Sequence, residues 1–404
     1  MRSFPWFRSR RAPAAPPPAA AAGEAPSASA AEAKPAAAPP ALDVNVMLHA
    51  ARSAHLGAMP QGAKRLLSAG CSGLWYFEWI EKRYGHVPEH IGVEYYMPRP
   101  DGLPANVRWI ANSVSEMTEV ADRSCDLVFS GQNIEHLWPE ETAGFLAESA
   151  RVLRPGGHLV VDSPNRIVTA ALNWSHPEHT IELSLPEITR LLRLAGCEPT
   201  KAAGIWLCRD PQSGRFLPFD PNIAEPDWHF AERLVAAEER PEQSFIWWVE
   251  ARRGAAPPDK EAIASMLAEL FRAHWPERTE RFAVPAARTR EQRTDGEWVR
   301  AAAGEPGPVF FGPNMPLRAG RYRVTFRLDP EPAGERPDAG EPYALCDVLS
   351  AGSEEKLASI MVGSGVRSAS LAFSLPAVTF GLQFRCISLG RTGFAVRRAV
   401  TIEE

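Results

Sequence analysis

The chain has 404 residues, room for two or three domains, and 45% of them are apolar, ample for buried cores. Its 44 basic and 49 acidic residues give a formal net charge of −5, which argues against a general nucleic-acid binder. The cysteines (Cys71, Cys125, Cys197, Cys208, Cys346, Cys386) are scattered without a C-x-x-C pair. They fit reduced thiols in a cytoplasm better than a disulfide frame or a zinc site, and no apolar run approaches the roughly 18 residues of a membrane helix.

In "MRSFPWFRSRR", Phe4, Trp6 and Phe7 alternate with Arg2, Arg8, Arg10 and Arg11. There is no Leu-rich stretch of the kind a signal peptide needs. Two readings stay open: a weak anchor for an anionic membrane surface or a partner, or a plain solvated start. Residues 12–41 are dominated by Ala and Pro and predict a disordered or semi-extended tether.

At Asp43 the pattern changes. Val44, Met47, Leu48 and Ala51 fall at helical spacing behind an Asp N-cap. Strand patterns follow at Arg65–Ala69, Ile91–Glu94, Val107–Ile110, Asp126–Ser130 and His158–Ser163, and helix patterns at Trp75–Tyr84, Glu140–Leu153 and Leu185–Ala195. Pro199–Leu207 and Ser244–Arg253 read as two more strands around an insertion rich in Pro, Asp and Trp. Strand–helix alternation with continuously apolar strands predicts an α/β fold, a Rossmann-like, doubly wound, mostly parallel seven-stranded sheet over 42–253. A joint with a short helix, Lys260 to Trp275, occupies 254–282. Over 283–404, "YRVTFRLD", "ALCDVLSA", "LASIMVG", "SASLAFSL", "FGLQFRCIS" and "FAVRRAVTIE" alternate at period two between Gly/Pro/Asp turns, which predicts an all-β sandwich.

Several stretches within 64–253 occur in an order that carries chemistry. "LLSAGCSGLW" breaks an apolar run into a small-residue turn that enters an aromatic helix. "IGVEYY" puts Glu94 at a strand end 24 residues beyond Gly70. "WIANSVSEM", "SCDLVFSGQNIEHLWPEE", "ESARVLRPGGHLVVDSPNR" and "NWSHPEHTIELSLPEITRLLRLAGCE" follow. Together they resemble the class I S-adenosylmethionine-dependent methyltransferases, in particular the small-molecule type, over about half of the chain.

That resemblance implies S-adenosyl-L-methionine as cofactor. It implies that Gly70, Cys71 and Gly73 line the cofactor with backbone amides, with Ser68 where the family has an acid. Ser72 and Leu74 replace later glycines, and Ser72 is tolerable only if its φ is not positive. Glu94 would take the ribose hydroxyls, Asn112 and Ser113 the adenine, and Gln132 would stand at the carboxyl end of the fourth strand. Gly156–Gly157 would end the helix before the fifth strand. His136, His176 and His179 are the candidates for a base that deprotonates an acceptor hydroxyl, with Asp162 as orienter, although loop packing is an alternative role for each histidine. A metal at His176, Glu178 and His179 is not assigned, because no H-x-x-x-H pair lies on a helix and Pro177 breaks the local geometry.

"GPVFFGPNMPLRAGRYRVTFRL" resembles a β-sandwich module of bacterial glycosyltransferases and surface-polysaccharide enzymes. Phe310, Phe311, Tyr322 and Phe326 could touch sugar there, or form the sandwich core. Trp206, Phe216, Phe219, Trp228 and Phe230 of the insertion could stack on sugar rings or pack as a lid. The leading expectation is a cytoplasmic O-methyltransferase, with the inner membrane face as a further location. Its acceptor would be a sugar hydroxyl of a surface polysaccharide or its lipid-linked precursor, and its partners a glycan or small molecule, a glycosyltransferase or a second copy, but no nucleic acid. A small-metabolite methyltransferase and a catalytically silent scaffold of the same fold are the alternatives.

Overall fold

The computed structural model describes residues 41–174, 176, 179–274, 288–289, 294–295, 298–317, 319–330, 341–350, 355–377, 379–397 and 400–403. The basic, aromatic start and most of the Ala/Pro tether lie outside the described residues, as does Glu178. Among the described residues, no helix is long and apolar enough to cross a membrane.

The first unit begins with α1 (Val44–Gly57), whose N-cap Asp43 accepts from the Asn45 amide at 2.8 Å. There follow β1 (Arg65–Ala69), α2 (Leu74–Arg83), β2 (Glu89–Val93), β3 (Val107–Ile110), β4 (Cys125–Gly131), α3 (Pro139–Val152), β5 (Leu153–Pro164), α4 (Arg166–Ala171), α5 (Leu185–Leu194), β6 (Cys197–Leu207), α6 (Phe230–Glu238), β7 (Ser244–Arg253) and α7 (Lys260–His274). The sheet runs β3-β2-β1-β4-β5-β7-β6. The first five strands are parallel, and β7 lies antiparallel between β5 and β6.

Its central strands are apolar on both sides because both faces are covered. Leu67, Val128 and Val161 belong to one buried cluster with α3, α5 and α7; Leu66, Phe129 and Val160 belong to the other with α1 and α2. Chain order reverses between β1 and β4. That is the switch point outside whose carboxyl ends open α/β sheets bind ligands.

One buried ion pair anchors α1 over this edge. Arg52 reaches Asp162, near the end of β5, with Nε 2.6 Å from Oδ2 and Nη2 3.2 Å from Oδ1. Both residues are buried. On the same helix, Ser53 takes the indole N–H of Trp79 from α2 at 2.8 Å.

The turn between α3 and β5 differs from the expected glycine helix end. The helix stops at Val152 and the strand starts at Leu153 with no loop between. Gly156, at φ +82, sits within the strand, where the β4–β5 register shifts between Cys125 and Leu127. The glycine serves a strand irregularity, and Gly157 packs so closely that an added Cβ would lie 2.9 Å from the Asp126 carbonyl.

The C-terminal strands are β8 (Arg288–Thr289), β9 (Thr294–Asp295), β10 (Trp298–Ala301), β11 (Pro306–Phe311), β12 (Pro313–Leu317), β13 (Gly320–Pro330), β14 (Pro342–Ser350), β15 (Glu355–Gly363), β16 (Ser368–Leu375), β17 (Thr379–Leu389), β18 (Phe394–Arg397) and β19 (Thr401–Glu403). They form two antiparallel sheets, β16-β13-β18-β10-β9 with β19 on β13, and β15-β14-β17-β11-β8 with β12 on β17. Side chains of both sheets meet in one core, so this is a sandwich. β16 shows the rule: Ala369, Leu371, Phe373 and Leu375 are buried while the residues between them are exposed. Phe310, Tyr322 and Phe326 are core residues of this kind, which removes them as sugar-contacting candidates.

Arg52→Met would strand the buried Asp162 carboxylate. Removing one partner of such a pair costs about 3–5 kcal/mol. Urea unfolding followed by tryptophan fluorescence should show a loss of that size; an unchanged midpoint would contradict the anchoring role.

Candidate functional site

The loop after β1 is built for close approach. Gly70 has φ +75, and an added Cβ would stand 2.4 Å from Asn133 Oδ1, so the loop packs directly on the turn that follows β4. Gly73, at φ +143, is the N-cap residue of α2. Ser72 departs from the condition set for it: its φ is +38, a left-handed conformation that costs a side-chain-bearing residue roughly 1–2 kcal/mol. Its amide donates to Glu94 Oε2 at 2.8 Å, which helps to hold it there.

Glu94 follows β2 and is buried. Oε1 accepts from the Tyr96 and Met97 amides at 2.6 and 3.2 Å. Burial raises its pKa, and the amides of Ser72, Tyr96, Met97 and Tyr95 oppose that rise. Oε2, bonded to the single Ser72 amide, keeps acceptor capacity for a ligand hydroxyl.

The other expected cofactor residues divide. Cys71 is fully buried, and burial pushes its thiol well above the usual range, so only its backbone suits a cofactor. Ser68 is also fully buried, and its hydroxyl lies 2.8 Å from His90 Nε2 inside the sheet. It does not occupy the crevice position that an acid would take, because the hydroxyl is committed to a strand-to-strand contact. Asn112 is half-buried; its Oδ1 accepts the Ser113 amide at 2.8 Å and its Nδ2 donates to the Glu116 carbonyl at 2.8 Å. Ser113 is buried with its hydroxyl 2.8 Å from that of Ser115. These two shape the turn after β3. Gln132, at φ +54, donates to Asp162 Oδ2 at 3.0 Å.

The structure brings His136, His176 and His179 together. The carbonyl of Glu135 accepts the amides of Thr180 and Ile181 at 2.7 and 3.1 Å, and the Thr180 hydroxyl donates to the His136 carbonyl at 3.2 Å. These bonds staple the turn after β4 to the segment before α5. The His176 and His179 rings are 4.5 Å apart, His136 and His179 4.9 Å, and His136 and His176 6.2 Å. His179 Nδ1 lies 2.6 Å from Glu182 Oε1, and Glu182 also accepts the Thr169 hydroxyl. A carboxylate can only accept, so this contact fixes the proton on Nδ1. Half-buried Trp174 stands 5.6 Å from His179 and 6.2 Å from His176, with Phe219 6.4 Å away.

Asp162 is not the orienter of these histidines. Its oxygens are taken by Arg52 and Gln132. The carboxylate that orients a histidine is Glu182, three residues beyond His179, a spacing visible in the sequence. Arg52 and the state of Glu135 carried no local signal. Glu135 is fully buried, neither carboxylate oxygen has a well-formed hydrogen bond among the described residues, and burial pushes its pKa up to about 8 against the weaker pull of its own amide and the Ser163 hydroxyl. Ligand-capable atoms of Glu135, His136 and His179 all lie within 4.8 Å of one another.

Residues 67–161 match a family model described as a methyltransferase domain. That span contains the loop, Glu94, Gln132, Glu135 and His136, and ends before His176 and His179. A protein of Mycolicibacterium smegmatis named a probable S-adenosylmethionine-dependent methyltransferase is 44% identical over 87 residues, 21% of this chain and 33% of that protein. One of Mycobacterium tuberculosis with the same description is 42% identical over 87 residues, 21% of this chain and 31% of its own length. The chain thus spans about a third of the curated relatives it matches. A solved S-adenosylmethionine-dependent methyltransferase of Archaeoglobus fulgidus is 18% identical, covering 52% of this chain and 95% of that one with a TM-score of 0.37. The seven-stranded mixed sheet and the matched segment define the class I S-adenosylmethionine-dependent methyltransferase fold.

The pairing of Ser68 with His90 has a pH signature. Burial lowers the His90 pKa from 6.5 to about 3. The unfolded chain takes up this proton as pH falls below 6.5, whereas the folded chain does not until about 3, so His90 contributes stability above 6.5 that is lost on the way down. Urea unfolding at a series of pH values should show a shallower acid decline for His90→Gln than for the wild type; parallel declines would refute the assignment.

Proposed function

We propose that the chain is an S-adenosylmethionine-dependent O-methyltransferase. Its acceptor on this reading is a sugar hydroxyl of a bacterial surface polysaccharide or of its lipid-linked precursor. The observation that carries the reading is the three-histidine cluster, in which His176 and His179 from the segment before α5 meet His136 in the turn after β4, the turn packed on the Gly70 loop. The methyl group of the cofactor is already activated by its sulfonium. The protein must therefore align an acceptor oxygen with that methyl and remove the hydroxyl proton. Histidines suit the proton, since small environmental shifts place their titration near neutrality.

Glu94 on this reading holds the ribose, while the backbone from Gly70 to Gly73 and the start of α2 face the methionyl part. The sugar preference is supported by Trp174 and Phe219. A half-buried indole beside the histidines offers a flat apolar face of the kind that packs on the C–H face of a sugar ring.

Calorimetric titration with S-adenosylhomocysteine tests the cofactor site. Glu94→Gln should weaken binding about 10- to 100-fold, the loss expected for a charge-assisted hydrogen bond; unchanged affinity would remove Glu94 from the site. Methyl transfer from labelled S-adenosylmethionine should then be seen with lipid-linked or free glycans. Transfer only to small hydroxylated metabolites would replace the sugar acceptor, and absence of both cofactor binding and transfer would make the chain a silent scaffold of this fold.

A further inference from the structure

We propose that Glu135, His136 and His179 form a binding site for a divalent transition-metal ion beside the cofactor crevice. One carboxylate and two imidazoles suit zinc, manganese, iron or cobalt better than magnesium or calcium, which favour oxygen-rich sets. The candidate ligand atoms lie within 4.8 Å of one another. Two atoms each about 2.1 Å from one ion are at most about 4.2 Å apart, so binding requires only a small closure of side chains.

Two further observations point to a ligand. The first is Glu135 itself, a fully buried carboxylate that takes no well-formed hydrogen bond among the described residues, its own amide and the Ser163 hydroxyl offering only loose donors. Such a group needs a compensating partner. The neighbouring cation, Arg52, is bound to Asp162 through two hydrogen bonds. The second is the support behind His179. Glu182 holds Nδ1 at 2.6 Å, and is itself fixed by Thr169. A histidine so held ligates through Nε2, and a carboxylate on its other nitrogen orients the ring and raises its basicity.

The ligand spacing also accounts for what sequence inspection excluded. A helical H-x-x-x-H motif is absent, but the backbone bonds from Glu135 to Thr180 and Ile181 bring the two halves of the site together from segments more than 40 residues apart. Three protein ligands leave positions on the ion for oxygen ligands from outside. What the ion does there rests on the methyl-transfer reading: it would hold the acceptor hydroxyl in place beside the methyl donor.

The test is a titration of the full, untagged chain with Co²⁺, followed by visible absorption, with Zn²⁺ as competitor. One Co²⁺ per chain should bind and be displaced by Zn²⁺. His136→Ala, His179→Ala and Glu135→Gln should each weaken binding at least about 10-fold, and Glu182→Gln about 10-fold through the loss of support behind His179. Thermal unfolding of each variant without metal checks its fold; should Glu135→Gln not fold, the half-exposed His136 decides. No Co²⁺ or Zn²⁺ binding at sub-millimolar concentration would overturn the proposal, leaving Glu135 as a buried neutral acid. Binding that survives both histidine substitutions would overturn it as well. S-adenosylhomocysteine titration on the same samples separates the two readings: cofactor binding without metal binding removes the metal site alone, and metal binding without cofactor binding removes the methyltransferase reading alone.

Discussion

Two buried carboxylates stand near the carboxyl ends of adjacent strands, and Arg52 is bound to one of them. Asp162 takes the guanidinium and the Gln132 amide, whereas Glu135 has no well-formed hydrogen bond among the described residues. The difference divides their roles. Asp162 ties α1 to β5 and closes one side of the sheet edge. Glu135 remains a buried group in need of a partner, at the place where the histidines converge. Its main-chain carbonyl also holds the segment that delivers His179, so this one residue joins fold and site.

The crevice is assembled from turns that no single element defines. The Gly70 loop can pack on Asn133 because Gly70 has no Cβ. Ser72 is held in a left-handed conformation with its amide on Glu94, so the loop's backbone and the acid after β2 are set by one contact. Local strain of this kind is concentrated at sites that bind ligands, where the surrounding structure holds it in place.

Much of the architecture was legible in the sequence. Strand-length apolar runs between helical patterns gave the sheet, since burial on both faces leaves no polar alternation to obscure them. The period-two pattern of the C-terminal half gave the sandwich; taken further, the same pattern places Tyr322, Val324, Phe326 and Leu328 on one inward face, so the core role of Tyr322 and Phe326 was readable too. The histidines were found because "EH" and "HPEH" belong to the ordered stretches that carry the family resemblance, on either side of α3, β5 and α4. What spacing could not show were contacts across long stretches of chain: Arg52 with Asp162, 110 residues away, and the convergence of Glu135 with His179. Nor could composition show that Ser68 turns into the sheet, because that depends on a cross-strand histidine. The Gly156 misplacement has a similar origin, since a glycine within a strand irregularity and one at a helix end look alike until strand pairing is known.

On the proposed reading, the crevice between the Gly70 loop and the histidine cluster receives the methyl donor with its sulfur toward the histidines. A crystal structure with S-adenosylhomocysteine tests this most directly. The ribose hydroxyls should lie on Glu94, the methionyl backbone against Gly70–Gly73, and the sulfur should face His136, His176 and His179. A ligand bound with its sulfur on the far side of Glu94, or held away from the carboxyl ends of β1 and β4, would contradict it.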